Sequence, residues 1–254
     1  MIPFKSFGFS DPGRTRGHNE DSYLCNDEER LFLVADGMGG HASGETASQL
    51  AVSSVENFVI RSRLDDIEWP IKYNQNLTSE QNRLLAAVTL ANTHILERAK
   101  QDDSMKGMGT TLNGVTIEED YLAIINVGDS RLYRVRNEEI EQISQDHSFV
   151  GEQERKGLLT KEEARQHPKR HILTSALGVS KQQTKIDVSR TEIIENDLYL
   201  ICTDGLYSML EDDEILTIVK SVVDKSLYKI GLSLVLKANL AGGLDNITVV
   251  LLSF

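Results

Sequence analysis

Short apolar runs rich in β-branched residues punctuate the chain at Leu31–Ala35, Tyr121–Val127, Leu198–Thr203 and Ile247–Leu252. Their length and composition predict buried strands, each with at least one covered face. Between the first two runs the period changes from short blocks to a helical stripe. Ala47, Leu50, Ala51, Val55, Phe58 and Val59 recur on one side of a helix over about Ser43–Val59. A second helix is predicted from Ser79 to Lys100, opened by Thr78 and Gln81 in capping-box spacing and burying Leu84, Val88, Ala91 and Ile95. Two long helices set between strands imply sheet covered by helices.

The stretch from Arg61 to Leu77 has no clear period and reads as a connecting loop. From Asp146 to Leu173 the chain turns strongly polar, with a short helix predicted from Lys161 after a Thr160/Glu163 capping box. That segment suggests a flap beside a site. Further helices are expected near Asp212–Val222 and Ser226–Leu240, before a last strand. No repeat, low-complexity tract or linker marks a boundary, so residues 1–254 are expected to form a single domain with a flap at about 146–173.

Composition changes this picture little, but charge narrows it. At 254 residues the chain can bury a substantial core. Thirty-nine acidic against 27 basic residues give a formal charge of −12. That balance argues against nucleic acid as a partner, because such binding rests on cationic neutralisation of phosphates. Cys25 and Cys202 are the only cysteines and lie far apart. They suggest neither a disulfide framework nor a thiolate zinc site, and fit a reducing cytoplasmic location. The N-terminal residues lack a basic segment followed by an apolar one, and the longest apolar runs fall far short of a membrane span.

The chemistry lies where the apolar runs stop. Val34-Ala35-Asp36-Gly37, Val127-Gly128-Asp129-Ser130, Cys202-Thr203-Asp204-Gly205 and Asp245-Asn246-Ile247 each place an aspartate against a strand. Taken singly, Asp-Gly and Gly-Asp are ordinary turn pairs. Their recurrence points instead to short carboxylates held on rigid supports, able to converge on a cation. Converging carboxylates without paired His or Cys are hard oxygen donors, which suit Mg²⁺ or Mn²⁺ better than Zn²⁺. Near the N-terminus, Arg14, Arg16, Glu20 and Asp21 add guanidinium groups, whose planar fork suits phosphate, and further carboxylates. Alone, these observations predict a metal-dependent hydrolase of phosphate esters.

In order along the chain stand Arg16-x-x-Asn19-Glu20-Asp21, Val34-Ala35-Asp36-Gly37-Met38-Gly39-Gly40-His41, Gly109-Thr110-Thr111-Leu112, Val127-Gly128-Asp129-Ser130-Arg131, Thr174-Ser175-Ala176-Leu177-Gly178, Thr203-Asp204-Gly205 and Asp245-Asn246-Ile247-Thr248. With these motifs the sequence resembles the bacterial type 2C protein serine/threonine phosphatases, members of the metal-dependent protein phosphatase family, over nearly its whole length. The resemblance implies an α+β fold: a four-layer α-β-β-α sandwich of two antiparallel sheets flanked by helices, with a binuclear metal site at one end. It implies two core Mn²⁺ or Mg²⁺ ions and a weaker third. Asp36 would bridge the core ions, Asp204 and Asp245 would complete one of them, and the Gly37 carbonyl would bind the other. Glu20 or Asp21 would act through water, and Asp129 with Asp204 would hold the third ion.

By the same resemblance, hydroxide bridging the core ions attacks phosphoserine or phosphothreonine in line, with Arg16 clamping phosphate oxygens. His41 is a candidate proton donor to the leaving alkoxide. His147 is read as structural support. No His-Cys-x5-Arg loop, Asp-x-Asp nucleophile or Gly-Asp-x-His-Gly signature serves a rival phosphatase mechanism. The implied partners are phosphorylated proteins, substrates of a serine/threonine kinase, and the enzyme is expected to be a cytoplasmic monomer with no membrane partner. A phosphoprotein-binding pseudophosphatase and a hydrolase of another phosphate ester, such as a nucleotide, stand as alternatives.

Overall fold

The computed structural model describes residues 2–40, 42–65, 67–179 and 184–254. Along the chain run β1 (Lys5–Asp11), β2 (Asp21–Asn26), β3 (Leu31–Met38), α1 (Ala42–Leu64), α2 (Ser79–Gln101), β4 (Gly109–Thr110), β5 (Leu112–Glu118), β6 (Tyr121–Val127), β7 (Arg131–Arg136) and β8 (Glu139–Gln142). Then follow α3 (Phe149–Arg155), α4 (Lys161–Gln166), β9 (Asp187–Glu192), β10 (Leu198–Cys202), α5 (Asp204–Tyr207), α6 (Asp212–Ser221), α7 (Leu227–Leu240) and β11 (Ile247–Ser253).

The strands form two antiparallel sheets, one ordered β1-β11-β10-β7-β8 and the other β2-β3-β5-β6-β9, with β4 paired to β3. Residue alternation builds the layers. On β3, Leu31, Leu33 and Ala35 pack with α1 and α2, whereas Phe32 and Val34 face the other sheet. On β11, Ile247, Val249 and Leu251 pack under α6 and α7, whereas Val250 and Leu252 enter the layer between the sheets. Each fully buried large apolar side chain on these faces contributes roughly 1.5–3 kcal/mol. The expected four-layer α-β-β-α sandwich is the observed fold.

Most expected elements recur within a residue or two, and the Thr78/Gln81 and Thr160/Glu163 capping boxes are both formed. Two boundaries and one additional helix differ for physical reasons. The first helix continues to Leu64, where Arg63 pairs with Glu29 and Glu80 and extends it beyond the apolar stripe. The strand from Leu198 ends at Cys202, because Thr203 becomes the residue before α5 and turns its hydroxyl to Asp21. The polar segment holds α3 as well as α4. α3 escaped the periodicity reading because only Val150 and Gly151 of its residues are buried; it starts at the Ser148 cap.

β2, β7 and β11 begin, and β3, β6 and β10 end, at the same end of the sandwich. The strand-end aspartates are therefore gathered at one opening of the inter-sheet layer. Among the described residues, no helix is long and apolar enough to cross a membrane.

Candidate metal centre

Register places the first carboxylates side by side. Asp21 opens β2 directly opposite Asp36 near the end of β3, an arrangement that is repulsive between like charges. Asp36 is held through its backbone: its N–H donates to Thr111 Oγ1 at 2.9 Å, and its carbonyl accepts from the Thr111 N–H and the Thr110 hydroxyl, each at 2.9 Å. The backbone then passes through a space only glycine fits. A Cβ at Gly37 would lie 2.1 Å from the Gly44 carbonyl oxygen and 2.6 Å from that of Glu20. The Glu20 carboxylate packs in turn against Gly44 at the start of α1. The residues expected to provide one side of a metal shell, Glu20, Asp36 and Gly37, are thus locked together by the N-terminal loop, β3 and α1.

The other side comes from the second sheet. Asp204 is the first residue of α5, directly beyond β10. Asp245 precedes β11, its Oδ1 accepting from the Asn246 N–H at 2.9 Å. Asn246 fixes the N-terminal loop to this edge: its Oδ1 accepts from the Glu20 N–H at 2.8 Å, and its Nδ2 donates to the carbonyls of Pro12 and His18, each at 2.9 Å. Asp129 lies in the tight β6–β7 turn, and its carbonyl accepts from the Tyr207 hydroxyl at 3.0 Å.

The electrostatics of this end are those of uncompensated negative charge. Burial, followed by the charges of Asp21, Asp204, Asp129 and Asp245, drives the Asp36 carboxyl far above the ordinary carboxylate range. Burial, opposed by hydroxyl donors, pushes Asp21 up to about 7. Burial and the Asp204 charge push Asp129 up to about 8. Burial and the Asp245 charge push Asp204 up to about 6. Asp21 Oδ1 and Asp204 Oδ1 are buried without any hydrogen-bond partner, a condition that ordinarily costs about 1–3 kcal/mol per group. Such orphaned carboxylate oxygens are the donors a hard divalent cation takes up. Among the described residues, no three carboxylate, imidazole or thiol side chains are already closed into a grip on one ion. The carboxylates gathered here offer oxygen donors, which suit hard ions such as Mg²⁺ and Mn²⁺.

Arg16 is exposed on its loop, and its Nη2 pairs with Asp245 Oδ2 at 2.7 Å. The structure thus places the expected phosphate ligand on a carboxylate of the same cluster. His41 lies outside the described residues. His147 is fully buried and bridges two segments: its Nδ1 accepts from the Gly128 N–H at 3.2 Å, which leaves Nε2 to donate to Asp187 at 2.8 Å. Burial lowers its pKa, and this geometry suits the supporting role read from sequence.

Sequence reasoning overlooked the hydroxyls beneath the carboxylates. Thr203 and Thr248 both donate to Asp21 Oδ2, at 2.8 and 2.6 Å. A signal existed. Thr203 continues the face of Tyr199 and Ile201, and Thr248 that of Val250 and Leu252, so each is a polar residue in a core-facing position.

The fold is an α-β-β-α sandwich whose acidic end carries buried, unpartnered carboxylate oxygens of the kind a divalent cation takes up. Comparison with known proteins makes this specific: the family model described as Protein phosphatase 2C matches residues 14–240, and the chain belongs to that family. It is 37% identical to the serine/threonine phosphatase stp of Listeria welshimeri over 95% of this chain and 92% of that one. The crystal structure of the Mycobacterium tuberculosis serine/threonine phosphatase PstP/Ppp superposes with a TM-score of 0.84 at 33% identity, covering 99% of this chain and 98% of that one. A crystal structure of the catalytic domain of PstP in complex with two manganese ions superposes with a TM-score of 0.82 at 31% identity, covering 98% of this chain and 97% of that one. The protein is accordingly a metal-dependent protein serine/threonine phosphatase acting on phosphoproteins.

Proposed function

We propose that the acidic end of the sandwich is the catalytic centre and that Asp36, Asp204, Asp245, the Gly37 carbonyl and, through water, Glu20 or Asp21 hold two core ions. Asp129 with Asp204 holds a weaker third. The observation that carries this reading is the pair of buried, unpartnered oxygens on Asp21 and Asp204 within a cluster whose members raise one another's proton affinity. Mn²⁺ and Mg²⁺ both suit the all-oxygen donor set. When bound, such ions supply an activated water and neutralise charge on the phosphoryl group.

The chain's own groups do the rest. Arg16, exposed on its loop, offers its fork to two phosphate oxygens in place of Asp245 and so orients the phosphoryl group. Water adds to phosphorus as the bond to the Ser or Thr oxygen breaks, and that alkoxide must gain a proton. His41 is the residue assigned to supply it. The segment 146–173 serves as a flap over the cleft, within a single catalytic domain spanning the chain.

The physiological substrates are proteins phosphorylated by a serine/threonine kinase, and the enzyme works as a cytoplasmic monomer. The deciding experiment measures Mn²⁺ binding by calorimetry and phosphate release from a phosphothreonine peptide for Asp36→Asn and Asp204→Asn. Weakened binding with lost turnover in folded protein is expected. Full activity in both variants would overturn the assignment, and preference for nucleotides over the peptide would favour another phosphate ester as substrate.

A further inference from the structure

The proposed flap is fastened to the rest of the molecule from behind, by side chains outside the metal cluster. Arg131 and Tyr133 alternate along β7 and so share the face that points away from the inter-sheet layer. The Arg131 side chain is 16% exposed and that of Asp146, at the root of the flap, 9%. Its Nη2 donates to Asp146 Oδ2 at 2.8 Å and its Nε to Asp146 Oδ1 at 3.2 Å, while Nη1 donates to the Tyr133 hydroxyl at 2.9 Å. Its guanidinium carbon lies 3.7 Å from the centre of the Tyr207 ring. A desolvated ion pair is net favourable only when its geometry is good and further hydrogen bonds satisfy its donors; here each of the three guanidinium nitrogens donates at least once.

The connections continue to the far side of the flap. The Tyr133 hydroxyl donates to Asp212 Oδ1 at 3.3 Å, at the start of α6. The other oxygen of Asp212 pairs with Lys161, the first residue of α4. Asp146 is further gripped by Gln142 Nε2 at 2.7 Å, and its carbonyl by Arg155 of α3 at 2.8 Å. The chain Asp146–Arg131–Tyr133–Asp212–Lys161 therefore reaches both flap helices from one strand. Through Tyr207, whose hydroxyl donates to the Asp129 carbonyl, it also touches the acidic edge.

We infer that Arg131 is a positioning residue, and that the relay Asp146–Arg131–Tyr133–Asp212–Lys161 anchors α3 and α4 at a set height over the cleft. The relay determines how protein substrates, which must pass under the flap, engage the site. A small phosphate ester that does not reach the flap is indifferent to it. This inference rests on the reading of residues 146–173 as a flap, and the test separates the two.

The full chain with Mn²⁺ is compared as wild type, Arg131→Lys, Tyr133→Phe, Lys161→Met and Tyr133→Phe/Lys161→Met. Hydrogen exchange is followed in residues 149–166, and kcat and KM are measured for a phosphothreonine peptide and for p-nitrophenyl phosphate. Losing a charge-assisted hydrogen bond is expected to speed exchange in that segment by about tenfold in Arg131→Lys. Tyr133→Phe and Lys161→Met, which break links of one chain, should each speed it by about threefold, and the double variant should exceed neither by more than about twofold. KM for the peptide should rise by about tenfold in Arg131→Lys, while kcat on p-nitrophenyl phosphate in Tyr133→Phe and Lys161→Met stays within about twofold of wild type. Unchanged exchange in a folded, Mn²⁺-binding Arg131→Lys would overturn the anchoring role. Fully additive effects in the double variant would overturn the relay. Faster exchange with an unchanged peptide KM would uphold the anchor and sink the flap reading instead.

Discussion

Strand β10 has an aspartate beyond each end, and the two live in opposite conditions. Asp197, before the strand, is 1% exposed. Its oxygens accept from Arg136 Nε and Nη2 at 2.7 and 2.6 Å, from the Tyr199 hydroxyl at 3.2 Å and from the Ile194 N–H at 2.8 Å. Asp204, after the strand, keeps one buried oxygen with no partner and faces other carboxylates. A buried charge supplied with a cation and several donors fastens the fold. A buried charge left without them is a cost that the native state tolerates because something from outside relieves it. Burial alone does not separate function from architecture here; the hydrogen-bond count on each oxygen does.

The widest separation is expected from neutralising each carboxylate in turn. Asp204→Asn should lower kcat on a phosphothreonine peptide at least a thousandfold, about 4 kcal/mol in barrier. In metal-free form at pH 7.5 it should melt above the wild type, because a repelling charge is gone. Asp197→Asn should do the reverse. Leaving Arg136 without its counter-charge is expected to cost about 2–3 kcal/mol of stability, discounted because the arginine retains contact with water. Turnover per folded molecule should persist. Denaturant melts alongside peptide kinetics check both, and a destabilised metal-free Asp204→Asn would break the contrast.

How much of this contrast could be read in the sequence follows from the same physics. Apolar runs such as Tyr121–Val127 and Ile247–Ser253 declare themselves because both faces are buried, and Asp36, Asp129, Asp204 and Asp245 stand out as the residues that flank such runs. β9, Asp-Val-Ser-Arg-Thr-Glu, pairs at a sheet edge with half its residues exposed and has no apolar signature. β7 was hidden by its arginines, which are spent on partners distant in sequence: Arg131 on Asp146 and Arg136 on Asp197. That Asp197 is satisfied and Asp204 is not depends on a register across three strands, and no local pattern carries it. The motif resemblance ranks the aspartates by company, whereas the structure distinguishes them by environment.

A smaller effect comes from pH. In the metal-free protein Asp204, Asp21 and Asp129 are raised to about 6, 7 and 8. The folded state therefore keeps protons that the unfolded chain releases near pH 4. The stability these groups contribute is fully present below that pH and is lost as pH rises through about 6 to 8. Between pH 5 and pH 8 the melting temperature of chelator-treated protein should fall by roughly 5–10 °C. Saturating Mn²⁺ should flatten the slope, because binding to the ionised carboxylates adds stability by mass action. A melting temperature that climbed across this window without metal would show that the carboxylates are relieved internally.

The finest test removes one hydroxyl from each end. Tyr199→Phe deletes a hydroxyl whose one proton is shared between the Glu192 carbonyl and Asp197, which retains Arg136 and the Ile194 N–H; a loss of about 1 kcal/mol is expected, independent of pH between 5 and 8. Thr248→Val deletes a donor to Asp21, leaving Thr203 alone on Oδ2 and nothing on Oδ1. At pH 5 the Asp21 carboxyl is protonated and loses little. By pH 8 it is ionised, and the missing donor should then cost metal-free protein about 1–2 kcal/mol, the usual penalty on an undersatisfied buried group. The two variants should thus have similar stability losses at pH 8 and different ones at pH 5, as read from urea midpoints at the two values. Equal losses at both would mean that Asp21 is already ionised at pH 5, and the acidic end would be less repulsive than its geometry implies.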